Sequence, residues 1–122
     1  MEPTERLREV EIVDTVIFYI EKKLQCKQCP LEVEKIFSIK YPNYDEIFEQ
    51  HVGLTVLDYI TKARINKAEK LLEHTLLSFK EIAIAIGLSG YFEFTELFKK
   101  VCGTTPSTYR NQLLQLKTNQ KN

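Results

Sequence analysis

The chain contains one pattern of residues twice, and the two copies begin fifty positions apart, at 46 and 96. Residues 46–55 (EIFEQHVGLT) align without a gap with residues 96–105 (ELFKKVCGTT). Outside these segments, pairs at the same spacing are Tyr44 with Phe94, Ile36 with Ile86, Val33 with Ala83, and Tyr59 with Tyr109. A repeat at a fixed period indicates a structural unit that is built twice. Because the chain has only 122 residues, we expect two small lobes rather than two large domains.

Hydrophobic periodicity predicts helices along the whole chain, and no segment alternates in the manner of a strand. The first helix is expected over residues 9–24, whose apolar side chains lie mostly three or four positions apart. Pro30 suits the first turn of a second helix over about 30–37. A third helix is expected from Pro42 to about His51, with Asn43 and Glu46 as a capping pair.

The remaining helices have clear start and stop signals. Gly53 ends the third helix, and Thr55 with Asp58 begins a long one that reaches about residue 73. The later signals are a capping box at Ser78 and Glu81, a stop at Gly87, a restart at Ser89, and a last helix from Thr105-Pro106 to about Leu116. We expect an all-α fold of about seven helices, divided into residues 1–53, a connecting helix 54–74, a second lobe 75–116 and a frayed tail 117–122.

Charge is divided unevenly along the chain. The net charge is zero and the sequence pI is about 6.7, whereas a dedicated nucleic-acid binder typically has a pI above about 9. Residues 1–53 nevertheless hold seven Lys or Arg against eleven Asp or Glu, and residues 54–122 hold ten against six. If one half contacts phosphate, the second half is the better candidate. No apolar run or signal sequence predicts a membrane segment, so we expect a cytoplasmic protein.

The cysteines and histidines allow several interpretations. Cys26 and Cys29 have the Cys-x-x-Cys spacing of zinc and redox sites, but four zinc ligands at paired spacing are not found, and a thioredoxin-type motif follows a strand. Cys102 aligns with Val52 and is interpreted as a core residue. His51 and His74 are interpreted as helix-end residues that favour the negative end of the helix dipole. We expect no metal and no cofactor.

From residue 53 to 110 the sequence resembles the DNA-binding domain of the AraC/XylS family of transcription regulators. The residues that carry the resemblance are Gly53, Tyr59, Ile60, Arg64, Ile65, Ala68, Leu71, Leu72, Ile82, Ala83, Ile86, Gly87, Leu88, Phe94, Phe98, Lys99, Lys100, Gly103, Thr105, Pro106, Ser107, Tyr109 and Arg110. Residues 9–52 match more weakly. The resemblance implies two helix-turn-helix lobes of homeodomain-like type, whose recognition helices enter successive major grooves of double-stranded DNA.

The resemblance also implies which residues contact DNA. The first recognition helix would begin near Tyr41 and the second near Gly90. The expected contacts are Lys40, Tyr41, Asn43, Asp45 and Glu46 in the first lobe, and Gly90, Tyr91, Phe92, Glu93, Thr95, Glu96, Lys99, Lys100 and Arg110 in the second. Pro42 stands where another side chain could reach a base, and for Phe92 we expect inward packing. Lys62, Lys67, Lys70 and Lys80 are further candidates for phosphate contact, and Arg64 is expected to form a structural ion pair.

Two functions from different classes follow. The first is a sequence-specific DNA-binding transcription regulator. The second keeps the fold but acts mainly through protein contacts, with an RNA polymerase subunit or another regulator as partner. Its basis is that acidic residues crowd the surfaces that should face phosphate, namely Asp45, Glu46, Glu49, Glu93 and Glu96. An enzyme is not indicated, since the sequence has no nucleophile–base pair, phosphate-binding loop or metal cluster.

Overall fold

The structure is a computed structural model that describes residues 2–120, except for the side chains of residues 119 and 120. Seven helices follow one another within this range, which contains no strand. They are α1 (Pro3–Lys23), α2 (Cys29–Lys40), α3 (Tyr44–Val52), α4 (Val56–His74), α5 (Phe79–Ala85), α6 (Tyr91–Cys102) and α7 (Pro106–Gln120). The all-α prediction is confirmed. None of the described helices is long and apolar enough to span a bilayer.

The chain divides into two compact units, residues 1–63 and 64–122. The boundary falls within α4, so each unit includes part of the helix that we expected to connect the two lobes. The first unit packs α2 and α3 against α1, around a core that includes Val16, Ile20, Val33 and Phe48. The second unit packs α6 against α5 and α7, around Ile82, Ile86, Phe94 and Phe98. Each unit therefore has a hydrophobic core of its own.

The repeat in the sequence is a repeat of local geometry. In the first unit the rings of Phe48 and Tyr59 meet edge to face, with centroids 5.4 Å apart and an interplanar angle of 81°. The equivalent rings of Phe98 and Tyr109 are 5.5 Å apart at 71°. Both Phe side chains are fully buried. One aromatic pair therefore anchors each copy, because such contacts add stability beyond the burial of area.

Helices α3 and α6, which occupy equivalent positions in the two copies, also end in the same way. Gly53 and Gly103 adopt φ angles of 86° and 79°, and the N–H of each donates to the carbonyl four residues earlier at 2.8 Å. A residue with a Cβ is disfavoured in this left-handed conformation. Thr55 and Thr105 then accept backbone N–H bonds from Asp58 and Thr108 at 3.1 and 3.2 Å, which caps α4 and α7. The aligned residues Ile36 and Ile86 are not equivalent in the structure. Ile86 is buried, whereas Ile36 is 46% exposed and Phe37 occupies the core.

Several predicted boundaries were wrong. Pro3 lies in the first turn of α1, so this helix begins six residues earlier than the periodicity indicated. Asn43 makes no side-chain capping bond, because its backbone (φ −101°, ψ 18°) lies outside the extended conformation that N-caps use. Helix α7 continues to Gln120, beyond the end expected near Leu116, with Thr118 donating to the Leu114 carbonyl at 2.9 Å. Residues 121 and 122 lie outside the described part of the chain.

Candidate nucleic-acid interface

Helix α6 follows α5 after a tight turn. Ser78 begins α5 with the predicted capping box: its hydroxyl accepts from the Glu81 N–H at 3.1 Å, and the Glu81 carboxylate accepts from the Ser78 N–H at 3.2 Å. The Ser78 backbone N–H, followed by the Ser78 side chain, holds the pKa of the Glu81 carboxyl below its usual value. After α5, Gly87 has a φ of 87° and the Leu88 N–H donates to the Ala83 carbonyl at 2.9 Å. The turn therefore sets where α6 begins.

One side of α6 is anchored in the core of the second unit. Phe94 and Phe98 are fully buried, and their rings lie 5.7 Å apart. Thr95 lies beside this stripe, and its Oγ1 is buried without a hydrogen-bond partner. Thr95 was predicted to read bases, and the structure places its hydroxyl on the packed side of the helix. Its contact with DNA stays a prediction.

The opposite side of α6 is exposed. Phe92 is 78% exposed and Tyr91 is 51% exposed, so our expectation that Phe92 packs inward was wrong. A helix turns about 100° per residue, which places position 92 about 200° from Phe94 and therefore opposite the core. Glu96, Lys99 and Lys100 are also exposed. Phe92, Glu93, Glu96, Leu97, Lys99 and Lys100 line one shallow depression.

This depression brings together most of the residues predicted for the second recognition helix, and it includes Leu97, which we did not predict. Leu97 aligns with Ile47 in the repeat and has the spacing of a core residue, so the sequence offered no separate signal for it. Gly90 precedes the helix in an extended conformation, with open space where a Cβ would lie. The Glu93 carboxylate accepts a hydrogen bond from the Ser89 N–H at 2.9 Å, so Glu93 helps to fix the start of α6.

Tyr91 contacts α5 instead of standing free on the exposed side. Its ring lies 6.0 Å from the ring of Phe79, at the start of α5, with an interplanar angle of 35°. The Tyr91 side chain is thus partly held by the unit's own surface. Phe92 is the more accessible aromatic group for a ligand.

Arg110, which was predicted to contact DNA, makes structural contacts within the second unit. Its Nη1 donates to the Leu77 carbonyl at 2.9 Å, and its Nη2 donates to the Thr75 carbonyl at 3.3 Å. Its guanidinium carbon also lies 5.3 Å from the centroid of the Phe79 ring. The side chain therefore holds residues 75–78, the irregular segment between α4 and α5. These two bonds direct part of the planar guanidinium toward backbone oxygens.

The other basic residues of the second unit differ in the contacts that they make. Lys67 donates to the Ala85 carbonyl at 3.1 Å, so it satisfies the end of α5. Lys70 and Lys80 are exposed, as is Lys62 in the first unit. Arg64 is buried, which is consistent with the structural role expected of it.

The first unit offers a different surface at the equivalent helix. Helix α3 begins at Tyr44, which is buried, two residues after the start expected at Pro42. Lys40 is the last residue of α2, and its Nζ lies 5.5 Å from the centroid of the Tyr41 ring. Tyr41 is itself half-buried against the core, and Asn43 is exposed. The candidate contacts of this lobe are therefore spread over the α2–α3 turn.

Asp45 and Glu46 lie at the start of α3 and are both exposed, as is Glu49 one turn later. Asp45 has an evident structural role, since its Oδ1 accepts from the Val56 N–H at 3.2 Å and so satisfies a donor at the start of α4. No basic residue lies in α3 before His51, whose Nε2 is 2.9 Å from Glu9 Oε1. The accessible face of α3 is therefore acidic.

The thiols and imidazoles do not form a metal site. No group of three His, Cys, Asp or Glu residues in the described part of the chain is arranged to hold a metal ion. Cys102 is half-buried against the core of the second unit, in agreement with its interpretation from the repeat. His74 lies at the end of α4, with Nε2 3.6 Å from Glu73 Oε2.

The fold and the α6 surface are those of a tandem helix-turn-helix domain. A family model described as a helix-turn-helix domain matches residues 35–112. The C-terminal domain of AraT, a response regulator from Geobacillus stearothermophilus, is 30% identical with a TM-score of 0.77, and the match covers 83% of this chain and 84% of that one. The chain belongs to the AraC-type helix-turn-helix family.

Two further proteins show how far the likeness extends. The bifunctional transcriptional activator/DNA repair enzyme AdaA of Bacillus subtilis is 31% identical over 109 residues, which are 87% of this chain and 50% of AdaA. The DNA-binding domain of AdpA, solved in complex with a target DNA, shares the fold with a TM-score of 0.71 at 22% identity, over 82% of this chain and 90% of that one. This chain spans half the length of AdaA, and less of several other curated relatives that it matches.

Proposed function

We propose that the chain regulates transcription by binding double-stranded DNA in the major groove, with α6 as the main reading element. The observation that carries the proposal is the two-sidedness of α6. Phe94 and Phe98 fix one side in the core, and the other side presents Phe92, Lys99 and Lys100 to solvent. The major groove is about 12 Å wide and admits a single helix held in this way. AraT and AdaA, a response regulator and a transcriptional activator, support a regulatory role.

The residues of the α6 surface fit different parts of a duplex. Lys99 and Lys100 lie in the last turn of α6 and suit phosphate oxygens, which position a protein without reading sequence. The exposed ring of Phe92 suits the methyl group of thymine. Glu96 can accept a hydrogen bond from N4 of cytosine. This combination predicts a site in which both thymine and cytosine contribute to specificity.

The first unit contributes less to DNA binding in this proposal. Its α3 face carries Glu46 and Glu49 where phosphate would lie, and Asp45 is bonded to the backbone of α4. Lys40 is the nearest cation in the sequence before α3. An acidic face of this kind suits a basic protein surface, so an RNA polymerase subunit or another regulator is proposed as a second partner here. The comparisons favour DNA binding over a role through protein contacts alone. DNA binding would place the chain in the bacterial cytoplasm.

Duplex binding tests the proposal directly. The chain would be used to select bound duplexes from a random pool, and fluorescence anisotropy on a selected duplex would then be recorded over a range of salt concentrations. Each phosphate contact contributes about 0.9 to the slope of log K against log salt. Lys99→Ala and Lys100→Ala should each reduce the slope by about this amount.

Lys22→Ala is the matched control. Lys22 lies on α1, outside both helix-turn-helix segments, and its Nζ is 4.4 Å from the centroid of the Phe18 ring. Its removal should leave the slope unchanged. The proposal is contradicted if the wild-type chain binds no duplex at low salt. Equal effects of the three lysine substitutions would argue against α6 as the contact surface.

A further inference from the structure

The turn between α1 and α2 contains two cysteines that DNA binding does not use. Cys26 is half-buried in the turn, and Cys29 is fully buried as the first residue of α2. The N–H of Cys29 donates to the carbonyl of Cys26 at 3.1 Å. A bond between the first and fourth residues of a turn brings their Cα atoms within about 7 Å. A disulfide requires Cα atoms about 4.4–6.8 Å apart, so the backbone already meets this requirement or lies close to it.

Both thiols interact electrostatically with the Tyr19 phenol. The Tyr19 hydroxyl donates to Glu32 Oε2 at 3.0 Å. Burial raises the pKa of Tyr19, Glu32 raises it further, and Cys29 and Cys26 both act in the same direction. The hydrogen bond within the turn therefore brings the backbone positions of the two cysteines together.

We propose that Cys26 and Cys29 form a reversible intramolecular disulfide, with a low-molecular-weight disulfide such as oxidised glutathione as the oxidant. The thiolate of Cys26 attacks one sulfur of the oxidant, breaks its S–S bond and releases one glutathione thiolate, which takes up a proton. The thiolate of Cys29 then attacks the Cys26 sulfur of the mixed disulfide and releases the second glutathione. The two protein thiols lose two electrons and two protons, and the oxidant becomes two thiols.

The burial of Cys29 is compatible with this sequence of steps. Only the first attack needs a partner from solution, and the half-buried Cys26 supplies it. The second attack is intramolecular, so Cys29 can stay within the first unit. Since no metal-binding group is present among the described residues, a redox role accounts for the Cys-x-x-Cys spacing better than a metal does.

Cys102 provides an internal comparison. It lies in the second unit, and its Sγ donates to Glu69 Oε1 at a distance of 3.8 Å. Burial raises the pKa of the Cys102 thiol, and Glu69 raises it further, so the reactive thiolate is disfavoured at this position. We expect Cys102 to remain a thiol under conditions that oxidise the pair.

Thiol counting tests the proposal on the full chain. The protein is equilibrated in glutathione buffers of decreasing reduced-to-oxidised ratio, quenched with acid, unfolded and alkylated with iodoacetamide before intact-mass measurement. At the oxidising end the wild-type chain should take up one label in place of the three that its three thiols allow. Cys102→Ser should fall from two labels to none, and both species should lose the mass of two hydrogens.

Variants of the pair separate closure of the disulfide from simple oxidation. Cys26→Ser should keep two labels throughout. Cys29→Ser should retain one glutathione on Cys26, because the second attack is removed. If this buried substitution prevents folding, the wild-type and Cys26→Ser chains decide the matter. Three labels on the wild-type chain under oxidising buffer, or a glutathione adduct that does not close, would overturn the proposal.

Discussion

Replacement of Arg110 by Ala should destabilise the second unit without changing the contact with DNA. The guanidinium donates to two carbonyls of residues 75–78 and lies over Phe79. Removing it leaves the Leu77 and Thr75 carbonyls without these charged donors. It also removes the hydrogen bonds by which α7 holds the segment between α4 and α5.

The magnitude follows from the three contacts. A hydrogen bond to a charged group contributes about 1.5–3 kcal/mol, and the 2.9 Å bond is expected near the lower value because the side chain is only partly buried. The 3.3 Å bond is longer than ideal and adds a fraction of this. The cation–π contact adds about 0.5–1 kcal/mol. The total loss is about 2–3 kcal/mol, which lowers the melting temperature of a unit of this size by about 10–20 °C.

Thermal unfolding followed by circular dichroism measures the loss. Asn111→Ala is the matched control, since Asn111 is the next residue of α7 and is exposed. It should leave the melting temperature unchanged or raise it slightly, because Ala favours the helix. Arg110→Lys keeps the charge but lacks the planar fork, so it should recover only part of the stability.

Anisotropy at a temperature where the variant is folded completes the test. The salt slope of Arg110→Ala should equal that of the wild-type chain. An unchanged melting temperature together with a slope reduced by about 0.9 would refute the structural role, because that result identifies Arg110 as a phosphate contact.

Three further predictions concern the second unit. Thr95→Val should leave the unfolding free energy unchanged or raise it by up to about 1 kcal/mol, because the buried hydroxyl has no partner to lose, and a destabilised variant in chemical denaturation would show otherwise. The pKa of Glu81 is lower in the folded chain than in the unfolded chain. Its contribution to stability is therefore present above the unfolded pKa and is lost as pH falls through the folded pKa. The unfolding free energy, measured from neutral to acid pH, should fall less for Glu81→Gln than for wild type. Phe92→Ala should leave the melting temperature unchanged, since the ring is exposed, while selection of duplexes should return sites with weaker thymine preference; identical preferences would exclude Phe92 as a reader.

The architecture could be predicted because its signals are local or periodic. The alignment of Phe48 with Phe98, and of Tyr59 with Tyr109, predicted equivalent units, and the two edge-to-face pairs confirm it. The capping box at Ser78 depends on residues three positions apart and was also predicted correctly. Signals of this kind need no knowledge of which distant segments meet.

The roles of individual side chains could be predicted less well, because they depend on distant neighbours and on helix phase. Arg110 bonds to carbonyls that are 33 and 35 residues away in sequence, and nothing near it in the chain indicates this. Phe92 and Thr95 are three positions apart on α6, but the phase fixed by Phe94 places Phe92 outward and the Thr95 hydroxyl inward. For Phe92 we had expected the reverse, inward packing.

The separate cores have a consequence for how such a chain can change over generations. A substitution that loosens the packing around Phe48 changes the contacts of Tyr59 and its neighbours, while Phe98 and Tyr109 keep their own contacts. One copy can thus lose or exchange its ligand while the other preserves the original task. The acidic α3 and the lysine-bearing α6 are what such independent drift would leave behind.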